Sequence, residues 1–300
     1  MTPPLTVPEV PDQCFSGLAG KTAVVIGGAG GGVGTASVAL LVRSGAHVVV
    51  ADRDAARLEQ LAAQFPEVVT TVTADVTTDQ GIAAVDRVVS AASPCGLVNV
   101  VGGVAPGEVG HFLDVTTAQW QRSLEVNLTY AMRTCQSVAR RMSAARQSGS
   151  IVNLSVADAR HAMPWFSSYG AARSALEALT RTMAVELGPL GIRANTVAWG
   201  LINSPRAHAG SGSDIEQERA LIPLGRRGSV GEVAATVLFL LSELGSYITG
   251  QCLVVDGGLS LRPSHYGPNH SIPVFLESEP TRERLRSDFE RLIGDRAAGG

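Results

Sequence analysis

The sequence predicts an α/β protein: a single doubly wound parallel sheet with helices on both faces and a C-terminal extension. Three observations carry this. Short β-branched apolar runs alternate with helix-like stretches along most of the chain. The runs are apolar at nearly every position rather than every second one, as strands covered on both faces must be. No long linker, charge run or internal repeat divides residues 20–260, so one domain is expected there.

Taken in order, Thr22 to Gly27 is a strand that runs straight into glycines, and Val33 to Ser44 carries a helical pattern. Val48 to Ala51 is the next strand, ending at Asp52, and Val68 to Ala74 the third. Asp79 to Ala92 reads as a helix, Gly96 to Val101 as a strand, and Ala118 to Arg146 as one long helix. Ser150 to Ser155 is a strand, followed by a helix from about Ser168 to Leu187 and a strand from Arg193 to Ala198. Pro223 to Leu244 holds a loop and a helix, and Gln251 to Val255 the last strand.

The ends depart from this rhythm. Residues 1–19 form a Pro-rich N-terminal arm, and 261–300 a C-terminal extension. Leu285, Phe289, Leu292 and Ile293 space an apolar stripe at i, i+4, i+7 and i+8, and Ser278-Glu279-Pro280 is a helix-start signal, so a short helix is expected there.

A net charge of −3 and a pI near 6.1 argue against nucleic acid or an anionic membrane as partner. The longest apolar run, Val233 to Leu241 with Thr236 inside it, is far too short to span a bilayer. The N-terminus lacks the basic start and apolar core of a signal peptide, which predicts a cytoplasmic protein. Cys14, Cys95, Cys135 and Cys252 have no paired spacing, and His265 and His270 have no carboxylate or thiolate company, so neither disulfides nor a metal site is expected. Lys21 is the single lysine against 23 arginines.

The glycine-rich turn Gly28-Ala-Gly-Gly-Gly32-Val-Gly34 joins the first strand to the first helix. Such a turn lets a pyrophosphate approach the backbone at the positive end of a helix, although glycine-rich turns also join strands and helices for purely local reasons. Asp52 ends the second strand 18 residues after Gly34, where a carboxylate accepts hydrogen bonds from ribose hydroxyls and repels a 2′-phosphate. That favours NAD over NADP; Arg53 beside it tempers the preference.

Together with Tyr169-Gly-Ala-Ala-Arg173, this turn resembles the short-chain dehydrogenase/reductase family. Further motifs in family order extend the likeness over roughly residues 20–260: Asp75-Val76, Leu97-Val-Asn99-Val-Val-Gly102, Val126-Asn127-Leu128, Arg193-Ala-Asn195, Gly200-Leu-Ile202-Asn-Ser204, Pro223-Leu-Gly-Arg226 and Ile248-Thr-Gly250. The resemblance implies a Rossmann fold and a nicotinamide cofactor. Asp75 and Val76 would sit against the adenine, Asn99 and Gly102 would line the cofactor cleft, and Ile202 and Ser204 would grip the carboxamide. Tyr169 would be the acid/base and would, with Arg173, also touch the cofactor, while Asn127 would anchor a proton relay.

Around the cofactor cleft, Val100 stands where the family has a second Asn, Trp199 where it has a proline and Ser204 where it has a threonine; two catalytic positions depart as well. Arg173 stands where the family has a lysine; guanidinium keeps the charge but does not readily release a proton. Val156, thirteen residues before Tyr169, stands where the family has a serine hydroxyl. Ser155 is the adjacent candidate for that role, but a one-residue shift along a strand points it to the other face unless a bulge intervenes. Asn153 and His161 are further polar candidates nearby. Met163, Trp165, Trp199, Asn203 and His208 suggest an apolar lining and hence an apolar, cyclic substrate.

The expected function is an NAD(H)-dependent oxidoreductase interconverting a secondary alcohol and a ketone, built as a homotetramer or homodimer. Two alternatives stay open: a repurposed enzyme of this fold performing isomerisation, cyclisation or elimination, and a non-catalytic nucleotide-binding protein.

Overall fold

The computed structural model describes residues 17–104, 108–205 and 221–261, together with 279, 280, 283 and 287. Seven parallel strands form one sheet in the order β3-β2-β1-β4-β5-β6-β9. They are β1 (Thr22–Ile26), β2 (His47–Asp52), β3 (Val69–Thr73), β4 (Gly96–Asn99), β5 (Gly149–Val156), β6 (Ile192–Trp199) and β9 (Cys252–Val255). A separate two-stranded ladder pairs β7 (Ile202–Asn203) with β8 (Gly228–Ser229).

The intervening helices are α1 (Val33–Arg43), α2 (Ala55–Gln64), α3 (Asp79–Ala92), α4 (Thr117–Leu124), α5 (Tyr130–Ala144), α6 (Ser167–Leu187) and α7 (Val230–Leu241). Alternation along each strand feeds two cores. Ala23 and Val25 of β1, with Val48 and Val50 of β2, pack with α1, α2 and α7 on one face. Val24, Ile26, Val49 and Ala51 pack with α3, α5 and α6 on the other. Burial on both sides is why the strands read as unbroken apolar runs.

Local signals fix the helix starts. Asp54 accepts from Arg57 N to cap α2, and Thr78 accepts from Gly81 N to cap α3. Thr116 with Gln119, and Ser229 with Glu232, close reciprocal capping boxes on α4 and α7. Helix α2 is absent from the sequence expectation: its mean hydropathy is low and only Leu58 and Leu61 are buried, so its apolar stripe is narrow.

The expected single helix from 118 to 146 is interrupted. Residues Glu125–Thr129 form a π-helical turn between α4 and α5. Within it Asn127 donates its amide to Ser123 O at 3.0 Å, competing for a carbonyl that would otherwise serve the helix ladder.

The chain divides into two compact units, residues 1–210 with 228–255 and residues 211–227 with 256–300. In the second, Asp256 accepts from Gly258 N and Ser260 N, and Leu224 N bonds Gly257 O. Glu279, Pro280, Glu283 and Ser287 are helical. The rest of the expected C-terminal helix, the N-terminal arm up to residue 16, Cys14, His208, His265 and His270 lie outside the described residues.

Candidate active site

The sheet order reverses direction at β1, whose neighbours are β2 on one side and β4 on the other. Ligands of open α/β sheets settle in the crevice beyond the carboxyl ends of the strands at such a point. The glycine turn between β1 and α1 lies there.

Its glycines are of two kinds. At Gly28 a Cβ would stand 2.5 Å from Val50 Cγ1, and at Gly34 it would stand 3.1 Å from Gly28 Cα and drive into Gly27 O, so packing alone demands glycine. At Gly30 and Gly32 a Cβ would meet nothing within 4 Å. Protein packing does not explain those two. Gly32, at φ −110° and ψ −139°, has a backbone that L side chains disfavour.

Asp52, at the end of β2, holds the turn: Oδ2 accepts from Ala29 N at 3.0 Å and Oδ1 from Asp54 N at 3.3 Å. A carboxylate offers about four acceptor sites, so capacity remains for two hydroxyls. Arg57 donates to Gly30 O at 3.0 Å and stands 3.5 Å from Asp54. Asp75 folds onto its own turn, accepting from the Thr77 hydroxyl at 2.7 Å and Thr77 N at 3.0 Å. The Thr77 hydroxyl is the main cause that holds the Asp75 carboxyl below its usual range. Val76 is buried.

Asn99 closes β4 with its side chain inside the core. Nδ2 donates to Asn153 Oδ1 at 2.9 Å, Oδ1 accepts from the Thr134 hydroxyl at 2.8 Å, and Asn153 Nδ2 donates to the Thr180 hydroxyl at 2.9 Å. This chain of amides and hydroxyls ties β4 and β5 to α5 and α6. The side chains of Asn99 and Asn153 are therefore spent on one another and on the two threonines in the interior.

Tyr169 and Arg173 lie four residues apart on α6, one turn along the same face. The Arg173 guanidinium carbon stands 5.4 Å from the centroid of the Tyr169 ring, within cation–π range. Arg173 is only 1% exposed; its Nη1 donates to Leu154 O at 2.7 Å, and its Nε is buried without a partner among the described residues. Gly102, at φ +147°, lets the main chain pass over it, since a Cβ there would meet the guanidinium and lie 2.7 Å from Asn127 Oδ1.

Asn127 completes the group. Oδ1 accepts from Gly103 N at 2.9 Å and Nδ2 donates to Gly103 O at 3.0 Å, so the π-turn amide clamps the loop that follows β4. Tyr169, Arg173, Asn127, Gly102 and Gly103 are thus brought together.

Ser155 is not. Strand β5 pairs with β6 in regular register through Val156↔Trp199, with no bulge. Ser155 is fully buried and donates to Glu177 Oε1 at 3.1 Å. The alternation expected of a strand has turned its hydroxyl into the core, so it cannot meet a substrate in the family serine's place. Val156, at the strand end, is partly exposed. Ile202 is buried in β7, and Ser204, two residues on, is partly buried. His161 and Trp165 are exposed, Trp165 at φ +71°. Its carbonyl accepts from Gly110 N at 3.0 Å, and its ring meets His111 edge-on at 6.2 Å. A cavity of about 210 Å³ lies among Phe112, Val115, Thr116, Thr117, Trp120 and Ser167.

Among the described residues, no group of three or more His, Cys, Asp or Glu is placed to hold a metal, and no helix is long and apolar enough to cross a membrane.

Residues 28–260 match the family model described as enoyl-(acyl carrier protein) reductase. L-xylulose reductase of Bos taurus is 37% identical over 244 residues, covering 80% of this chain and 97% of that protein. D-erythrulose reductase of Gallus gallus is 36% identical over 251 residues, 83% of this chain and 98% of that protein. Among solved structures, an oxidoreductase of the short-chain dehydrogenase/reductase family from Burkholderia thailandensis superposes with a TM-score of 0.72 at 30% identity, covering 80% of this chain and 92% of that one. With the sheet order, the glycine turn and the Tyr169–Arg173 face all in place, the chain belongs to the short-chain dehydrogenase/reductase family of oxidoreductases.

Proposed function

We propose that the protein is an NAD(H)-dependent reductase of a ketone, or dehydrogenase of the matching secondary alcohol, on an apolar, cyclic substrate. The observation that carries the redox assignment is the Arg173 guanidinium held over the Tyr169 ring at 5.4 Å. The pair sets a phenol hydroxyl beside a fixed positive charge, the two groups that proton exchange at a substrate oxygen would use.

When bound, nicotinamide supplies or accepts the hydride at the substrate carbon. In the reducing direction Tyr169 gives its hydroxyl proton to the substrate oxygen, and Arg173 stabilises the tyrosinate left behind. Asn127 holds Gly103 and so fixes the wall of the pocket and the anchor of a proton relay. A guanidinium does not readily release a proton, so Arg173 would act by charge and not by relay. Gly28, Gly32 and Gly34 would seat the pyrophosphate and Asp52 the adenosine ribose, which favours NAD over NADP. Asp75, Val76, Gly102, Ile202 and Ser204 would line the rest of the cleft.

The apolar substrate is supported by Val156 in place of a hydroxyl and by the exposed Trp165. A second reading, a small keto sugar, is favoured by the names of the relatives from Bos taurus and Gallus gallus. Steady-state NADH oxidation with parallel panels of cyclic ketones and ketoses separates the two. Tyr169→Phe is expected to abolish turnover with either; a variant that keeps native turnover would overturn the assignment, and cofactor binding without turnover would favour a non-redox role.

A further inference from the structure

One buried charge lies outside the set just described. Glu177 is 5% exposed, yet it carries a carboxylate on the stripe of α6 that also presents Tyr169 and Arg173, eight and four residues earlier. Its two oxygens are used by two different elements. Oε1 accepts from Ser155 in β5 at 3.1 Å, and Oε2 accepts from Arg160 Nε at 3.1 Å. Arg160 ends the short 3-10 turn Ala157–Arg160 that leaves β5 directly after Val156. A further bond, Ser174 Oγ to Ala159 O, ties the same turn to α6.

Stability alone is a weak reason for this arrangement. The Arg160 side chain is 44% exposed, and an ion pair with one partner in solvent contributes little to stability. What an ion pair with two directional partners does supply is geometry. The two partners flank Val156, Ser155 just before it in β5 and Arg160 four residues after it, at the start of the stretch that leads to Tyr169.

We propose that Glu177 is a positioning residue: its carboxylate locks the turn 157–160 onto α6 and thereby sets the placement of Val156 relative to Tyr169 and Arg173. The claim rests on the redox reading for its effect on turnover, but not for its effect on the turn. Removing the lock frees the turn while the glycine cradle, built on β1 and α1, is untouched.

The test compares Glu177→Ala and Glu177→Gln in the full chain with NADH bound. Glutamine keeps both bonds, its amide oxygen facing Arg160 and its NH2 facing the Ser155 oxygen, so it should behave as the rescue. In Glu177→Ala, hydrogen exchange of residues 157–166 should quicken by about tenfold, with exchange in residues 22–43 unchanged. The kcat per NADH-binding site should fall by up to about 10²-fold, more than KM changes. Glutamine should return both quantities to within about threefold of the parent. Unchanged exchange across 157–166 in Glu177→Ala would overturn the proposal, as would an unchanged kcat per site in an active enzyme. If the parent turns over none of the ketones, the redox reading fails, and the exchange comparison still decides the role of Glu177.

Discussion

Val156→Ser is the most direct probe of the altered catalytic set. Val156 is extended, at φ −125° and ψ 144°, a backbone that serine adopts without strain. The side chain is partly exposed at the strand end, so truncating it costs about 1 kcal/mol of packing. For a chain of this size that lowers Tm by roughly 2–4 °C. Against this, the new hydroxyl stands on the opposite face of β5 from buried Ser155 and offers a donor to an oxyanion beside Tyr169. One such donor is worth on the order of 10²–10³ in rate. A working reductase with a handicapped site should therefore gain up to about 10²-fold in kcat while losing a few degrees of Tm. The assay is NADH oxidation with the best ketone of the panel, beside a thermal melt. Arg173→Lys in the same background should raise kcat further, because an ammonium can take over proton relay. A fall in turnover of the native substrate in Val156→Ser would refute the reasoning and make the valine part of a remodelled pocket.

The two kinds of glycine should separate in a single experiment: Gly34→Ala should destabilise the fold by several °C in a melt, since its Cβ collides with main chain, whereas Gly30→Ala, whose Cβ meets nothing, should melt like the parent and lose NADH affinity in a fluorescence titration. Asp52→Ala should weaken NAD(H) most, losing charge-assisted bonds and the Ala29 tether, and calorimetry in which the parent prefers NADP(H) would remove the ribose role assigned to Asp52. Burial pushes the Cys135 thiol up from 9.0 to about 12. The folded state thus holds that proton more tightly than the unfolded one, and stability present below pH 9 is lost as pH rises toward 12. Cys135→Ala should flatten the alkaline fall in Tm, and parallel curves for parent and variant would exclude the thiol as a cause. Sedimentation should show a homotetramer or homodimer built through α4, α5 and α6, where Val185 is 77% exposed; a monomer alone at micromolar concentration would refute it.

The fold was legible because its signals are local. Strands buried on both faces must be apolar throughout, and Gly28 and Gly34 mark a strand-to-helix crossing whatever the rest of the chain does. Tyr169 and Arg173, four residues apart, share one face of α6 for the same local reason. Other features were decided only by tertiary contacts. Helix α2 hid because two buried leucines suffice to hold it. The break in the 118–146 helix came from Asn127 turning to Ser123 O and Gly103, a partner 24 residues away. Asn99 belongs to the core because Thr134 and Asn153 reach it across two other elements. Ser155 points inward because β5 and β6 keep register to the last residue, and no local signal states where a bulge will be absent. The residue types that carry chemistry are written in the sequence, but the direction each side chain takes depends on which distant polar group satisfies it, because a buried donor or acceptor left without a partner costs more than most single contacts return.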